Sequence, residues 1–316
     1  MNGLPEILRA IEDSSDILVI AHIQPDGDTL GSSFALLNML RRIGKRARLY
    51  SEDGIPRKYC ELFPADALSQ PDESAFDMMI ALDCADKSRL GKAWKPFKKA
   101  KLSVNIDHHV TNERFAKLNY IAEASSVGEI IFELMRQAGV EQDGDSARYL
   151  YIAISTDTGN FTYSNTSSKC LLYVSELVEL FDLRETADIL FRRRSLVLTR
   201  LIARALSRLE LYDEGNIAVV TLLADDMKEL GASGADCENI VDFAREIEET
   251  KIAVFLREVN NGVKVSLRSK GDLDVGAVAA ALGGGGHKNA SGCCVTGKLD
   301  EVKSRVLGLA SGLFMK

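Results

Sequence analysis

Short apolar runs alternate with amphipathic stretches through roughly the first 180 residues. ILVIAH (17–22) reads as a buried strand, and TLGSSFALLNMLRRIG (29–44) spaces its apolar residues by three and four, predicting an amphipathic helix that Gly44 closes. RARLYS (46–51) predicts the next strand. FDMMIALD (76–83) and KLSVNID (101–107) are strand-length runs that each end in an acid, and helical patterns follow at 126–138, 146–156 and 168–181. Strands this apolar, separated by helices, predict an α/β fold: a mostly parallel sheet with helices on both faces. Ligand chemistry in such sheets belongs at the carboxyl ends of the strands, where His22, Asp83 and Asp107 fall.

The pattern changes in the second half. Residues 184–212 carry no Pro or Gly and predict a helical connector, with Arg192–Arg194 on a solvated face or dimer contact in preference to a phosphate-facing patch. NIAVVTLL (216–223) predicts a strand, and residues 251–269 a hairpin with an Asn-Gly turn. A helix near 274–282, a glycine loop, a short strand at 292–296 and a terminal helix at 299–315 complete a smaller α/β unit. The expected organisation is therefore a domain over 1–184, a helical connector over 185–214 and a second domain over 215–316.

At 316 residues, 46% hydrophobic and 27% charged, the chain has the composition of a soluble globular protein, with no apolar run long enough for a membrane span. The acidic N-terminus does not read as a signal peptide, and six cysteines without a CxxC pattern fit reduced thiols in a cytoplasmic protein. A net charge of −7 argues against a protein that grips long duplex or single strands through many phosphates. Small anionic substrates remain compatible, and a homodimer is left open.

All four histidines lie in short motifs rich in carboxylate or glycine: His22 in HIQPDGD, His108 and His109 in NIDHH, and His287 in GGGGHKNASG. With Asp26, Asp28, Asp83 and Asp157, the histidines His22 and His108 can assemble one site of about six N/O ligands without thiolate. That set suits two Mn²⁺ ions, with Mg²⁺ or Co²⁺ as substitutes, better than structural zinc. In HIQPDGD, Pro25 resists helix and Gly27 permits a turn that aims Asp26 and Asp28 at one point. In NIDHH, His108 can ligate metal while Asp107 orients an imidazole and His109 faces substrate. Asp83 is placed to bridge two metals, and Asp157 is expected in a loop after a helix. In the glycine loop Gly284, Gly285 and Gly286 let backbone N–H groups approach an anion, His287 and Lys288 add donors, and Arg268 in VSLRSK can supply a bidentate fork.

HIQPDGD, the isolated Asp83, IDHH and STDTGNFTYSNT resemble the four motifs of the DHH phosphoesterase superfamily. KVSLRSK with GGGGHKNASGC resembles the associated DHHA1 domain. The match runs in order over nearly the whole chain and is most similar to NrnA-type oligoribonucleases and 3′-phosphoadenosine-5′-phosphate (pAp) phosphatases. It implies an N-terminal metal domain, a cleft and a mobile C-terminal substrate domain. By the resemblance, His22, Asp26 and Asp83 hold one Mn²⁺, while Asp28, Asp83, His108 and Asp157 hold the other. Arg268, His287 and the glycine loop would grip the nucleotide phosphate. The implied substrates are short RNA oligonucleotides, dinucleotides and pAp.

Two metals can activate water directly, so no nucleophilic side chain is needed, in keeping with the absence of GxSxG and P-loop motifs. Three rivals remain. A DHH inorganic pyrophosphatase would carry an SRKKQ-like motif where this chain has VSLRSK. A phosphodiesterase for cyclic dinucleotides or their linear products uses the same parts. A non-catalytic nucleotide sensor would lack a metal ligand, and every expected ligand is present.

Overall fold

The computed structural model describes residues 3–69, 76–237 and 239–314. Internal contacts divide the chain into two units, residues 1–193 and 194–316. In the first unit, helix α1 (Leu4–Glu12) buries Leu4, Ile7 and Ile11, a spacing of three and four. Next come strand β1 (Asp16–Ala21), helix α2 (Gly27–Arg42), β2 (Arg46–Ser51), β3 (Met78–Leu82), α3 (Trp94–Lys99), β4 (Leu102–Asp107) and β5 (Leu118–Ile121). Helices α4 (Val127–Gln137), α5 (Gly144–Asp157), α6 (Ser168–Leu177) and α7 (Leu183–Ala187) complete the unit, with a π turn at Asp188–Arg192. The five strands pair in parallel in the order β2-β1-β3-β4-β5.

Strand residues alternate between two cores, as the pleat requires. Ile17, Val19, Met78, Ile80, Val104 and Ile106 pack with α1, α2, α4 and α5, whereas Leu18, Ile20, Met79 and Ala81 pack with Phe97 of α3. The expected α/β sheet covered on both faces is therefore present. The order of the strands reverses direction between β1 and β3, which puts a switch point there, and the residues that follow both strands are His22 and Asp83. Strand β5 was not expected, because as a half-buried edge strand it carries no long apolar run.

The connector differs from expectation. It is no single helix: the chain leaves helical conformation at 193–195, helix α8 (Leu196–Leu206) follows, and the short strand β6 (Glu210–Tyr212) ends the segment. Leu201 and Ala205 of α8 are fully buried against Ala218, Val220 and Phe255, so α8 is part of the second unit's core.

The remaining elements are β7 (Ile217–Leu222), α9 (Ala224–Glu229), α10 (Ile240–Arg245), β8 (Ile252–Val259), β9 (Gly262–Ser269), α11 (Val275–Ala281), β10 (Gly285–His287), β11 (Ala290–Thr296) and α12 (Leu299–Ser311). Beyond α12 a 3-10 turn covers Gly312–Phe314, and position 315 of the expected terminal helix lies outside the described residues. The sheet runs β10-β11-β9-β8-β7-β6, and only β7 and β8 pair in parallel. Val263, Val265 and Leu267 of β9 face a core shared with α11 and α12. The hairpin turns on Asn260-Asn261 instead of Asn-Gly, with Asn261 at φ +65° and Val259 paired to Gly262. Gly262 is needed inside the strand, since a Cβ there would collide with the Val295 carbonyl of β11.

Candidate metal centre

His22 follows β1 and is 1% exposed. Its Nδ1 lies 2.8 Å from the Ile23 carbonyl, which places the proton on Nδ1 as donor and leaves Nε2 as the acceptor nitrogen. That Nε2 faces Asp83 Oδ2 at 3.4 Å and Asp26 Oδ2 at 3.7 Å. His108, after β4, repeats the arrangement: Nδ1 is 3.2 Å from the Ala124 carbonyl, and Nε2 faces Asp83 Oδ1 and Asp157 Oδ2, each at 3.6 Å. One Asp83 oxygen thus meets each imidazole. Asp83 holds this pose at φ +57°, a left-handed conformation that Asp tolerates better than most residues, and its buried Oδ1 has no hydrogen-bond partner.

The start of α2 and the end of α5 deliver the remaining carboxylates. Asp26 caps α2, accepting the Thr29 N–H at 3.0 Å. Asp28 is buried and accepts the N–H groups of Val127 and Gly128 at 2.7 and 2.9 Å, so it also caps α4. Asp157 is the last residue of α5, and not in a loop beyond it. Gly27 serves a different purpose from the one expected: the turn is made by Gln24 at φ +52°, while a Cβ on Gly27 would collide with Thr156 Oγ1. Only glycine lets the end of α5 approach this closely.

Donor atoms of three overlapping groups lie within 4.8 Å of one another: His22 with Asp26 and Asp83; Asp28 with His108 and Asp157; and Asp83 with Asp107, His108 and His109. Burial, followed by repulsion from Asp83, Asp157 and Asp26, holds the Asp28 carboxyl well above its ordinary pKa. Burial and the charge of Asp26 do the same to Asp83, and Asp157 is raised for the same reason. A buried cluster in which five carboxylates, Asp26, Asp28, Asp83, Asp107 and Asp157, outnumber the nearby cations Arg89 and His109, with one oxygen orphaned, favours added positive charge, and its N/O donors fit hard divalent cations. Cys84 supplies no thiolate, since burial raises its pKa strongly and Sγ points to the Leu82 carbonyl at 3.3 Å.

Asp107 orients His109: Nδ1 and Oδ1 are 2.7 Å apart, and this hydrogen bond, outweighing burial, raises the imidazole pKa to about 9. Asp107 also accepts the His108 backbone N–H at 2.8 Å and Asn112 Nδ2 at 2.5 Å. Asn112 and Arg89 were missing from the sequence reading. Arg89 Nη2 reaches His22 Nε2 at 2.9 Å, whereas Lys87, the nearest basic residue after Asp83, is exposed beside Glu113 at 4.0 Å. A single cation or amide a few residues past a motif gives no signal in one sequence.

In the second unit, Arg268 is half-buried on β9, with Nη1 donating to the Leu267 carbonyl at 3.1 Å and Nε 3.7 Å from Asp242 Oδ1. The glycine run is not simply a loop. Gly285 and Gly286 lie in β10, paired with β11. Gly284 and Gly286 have no room for a Cβ against the backbone of β11, so sheet contact alone requires glycine there. Lys288 is paired with the exposed Asp272 at 2.8 Å. The His287 side chain lies outside the described positions, although its backbone belongs to β10.

Two family models match: "DHH family, N-terminal domain" over residues 16–154 and "DHHA1 domain" over 214–311. A bifunctional oligoribonuclease and PAP phosphatase NrnA of Thermus thermophilus is 33% identical, covering 97% of this chain and 92% of its own. The protein of the same name from Bacillus subtilis is 28% identical over 92% of each. A crystal structure of an exopolyphosphatase-related protein from Bacteroides fragilis superposes with a TM-score of 0.91 at 25% identity, covering 98% of this chain and 97% of the other. Sequence motifs, sheet topology and relatives agree: the chain belongs to the DHH/DHHA1 family of phosphoesterases, and within it to the NrnA type.

Proposed function

We propose that this chain is a Mn²⁺-dependent phosphoesterase that hydrolyses short oligoribonucleotides to mononucleotides and pAp to AMP. The observation that carries the reading is Asp83, whose two oxygens each face a different imidazole. In this assignment His22, Asp26 and Asp83 hold one cation, and Asp28, Asp83, His108 and Asp157 hold the other. Bound there, the pair would lower the pKa of an attacking water and screen the phosphoryl charge during in-line displacement. Asp107 keeps His109 protonated and fixed through Nδ1, so the other ring N–H can donate to a phosphate oxygen or to the leaving group. Asp107 is itself braced by the His108 N–H and Asn112, which limits rotation of the imidazole. Arg268, the glycine segment, His287 and Lys288 would hold the nucleotide phosphate. The names of the Thermus and Bacillus relatives support the substrate class, and the −7 charge favours short anions over long strands.

The test is a panel of pAp, a diribonucleotide, a pentanucleotide, a 24-nucleotide RNA and a cyclic dinucleotide, assayed with Mn²⁺, with Mg²⁺ and with chelator at one salt concentration. The expected result is metal-dependent turnover with kcat/KM highest for pAp and the dinucleotide, falling beyond about five nucleotides as added phosphates bring repulsion without new contacts. Activity surviving in metal-stripped enzyme would refute the two-metal assignment. A kcat/KM for the 24-mer equal to that for the dinucleotide would refute the length preference.

A further inference from the structure

The sheet of the second unit carries a cavity of about 190 Å³ whose lining includes Asn239, Phe255, Arg257, Lys264, Ser266 and Arg268. Its position follows from register. Arg257 on β8 pairs directly with Lys264 on β9, and Phe255 pairs with Ser266, on the face opposite the Val263, Val265 and Leu267 core. Side chains paired this way have Cβ atoms about 4.5–5.5 Å apart, and like charges there are destabilising. Neither cation has a carboxylate within ion-pair distance among the described residues, whereas Arg268 has Asp242. The Arg257 guanidinium lies against Gly234, where a Cβ would come 3.1 Å from Nη2. Phe255, 4% exposed, gives the cavity an apolar wall, and Ser266 and Asn239 add neutral polar groups.

Two facing cations, neither with a carboxylate at ion-pair distance among the described residues, favour an anion between them in a chain of net charge −7. An Arg fork beside a Lys point charge is the chemistry that recognises phosphate. The volume lies below the roughly 300–1,000 Å³ of pockets that enclose a whole ligand, so one group is accommodated and not a complete nucleotide.

We propose that Arg257 and Lys264 form a phosphate subsite that takes one phosphate group of a nucleotide ligand. That the phosphate comes from a nucleotide rests on the function proposed above; the anion subsite does not.

The test uses the full chain, stripped of metal and held at fixed ionic strength, titrated calorimetrically with inorganic phosphate and separately with pAp. The variants are Arg257→Gln, Lys264→Gln, their double, and the charge-keeping Lys264→Arg. Each Gln variant is expected to weaken pAp binding about tenfold, the size of one charged hydrogen bond, while Lys264→Arg keeps most of the affinity. Thermal midpoints of the Gln variants should equal or exceed wild type, because the cross-strand repulsion is gone; a purely structural role would lower them. Unchanged pAp affinity in the double variant, or lower midpoints in the Gln variants, would overturn the proposal. Loss of inorganic phosphate binding with unchanged pAp affinity would also overturn it, in favour of a free-phosphate site. If pAp binding depends on both residues but no substrate in the panel is hydrolysed, the proposed function fails and the subsite stands.

Discussion

Replacing Asp83 by Asn should move stability and metal binding in opposite directions. Asn is the replacement of choice because it has nearly the same shape and accepts φ +57°, whereas Ala would add backbone strain. Donor atoms of Asp83 and Asp107 lie within 4.8 Å, as do those of Asp83 and Asp26; Coulomb's law at an effective dielectric constant near 20 gives about 3 kcal/mol for each ionised pair. His109 neutralises part of the Asp107 charge, and Asp26 is 55% exposed, so about 1–2 kcal/mol of relief remains. For a unit of residues 1–193 that corresponds to a rise in midpoint of about 3–6 °C in metal-free protein. The sign with pH follows from the raised carboxyl pKa of Asp83. A carboxyl pKa raised on folding costs nothing below its ordinary value and progressively more as pH rises above it, so variant and wild type should melt alike below about pH 4 and diverge as pH rises from there. With Mn²⁺ the order should reverse, with bound metal and kcat both falling, kcat by about 100-fold or more. Melting curves with and without chelator, elemental analysis and turnover of pAp read these together. A metal-free variant less stable than wild type at pH 8, or one that retains full metal content and activity, would refute the reasoning.

Asp107→Asn removes the partner that raises His109 from 6.5 to about 9. That interaction stabilises the folded protein fully below pH 6.5 and is lost as pH rises through 9, so the variant's deficit in midpoint should be larger at pH 6 than at pH 10; in the pH profile of kcat, an alkaline limb near 9 should move toward neutrality. Arg268→Ala should raise KM for pAp about tenfold with bound metal unchanged by elemental analysis; loss of metal would contradict its assignment to phosphate binding. Gly27→Ala should cost about 1–3 kcal/mol in a melting experiment through its collision with Thr156, and unchanged stability would show that α2 and α5 can separate freely.

How much of the site is legible in the chain differs from residue to residue. The strands β1, β3 and β4 announce themselves as apolar runs because both faces are buried, and the polar residues that end them are conspicuous for the same reason. Edge strand β5 and the end of α5 are less legible: one is half-buried, and the other places a ligand on a helix terminus that looks like a turn. The glycines mislead most. Gly27, Gly262, Gly284 and Gly286 suggest turns and phosphate loops, yet each is required where another backbone or side chain approaches too closely for a Cβ.

Sequence alone determined the α/β class, the motif histidines and aspartates, and the N/O character of the donor set, because these depend on local periodicity and side-chain chemistry. Tertiary structure decided which atoms meet. The reversal of strand order between β1 and β3 brings His22 beside Asp83, and the Ile23 and Ala124 carbonyls at the Nδ1 atoms of His22 and His108 leave Nε2 of each ring toward Asp83. It also decided that Arg257 and Lys264 face each other, since cross-strand register is a long-range property that no stretch of the chain contains.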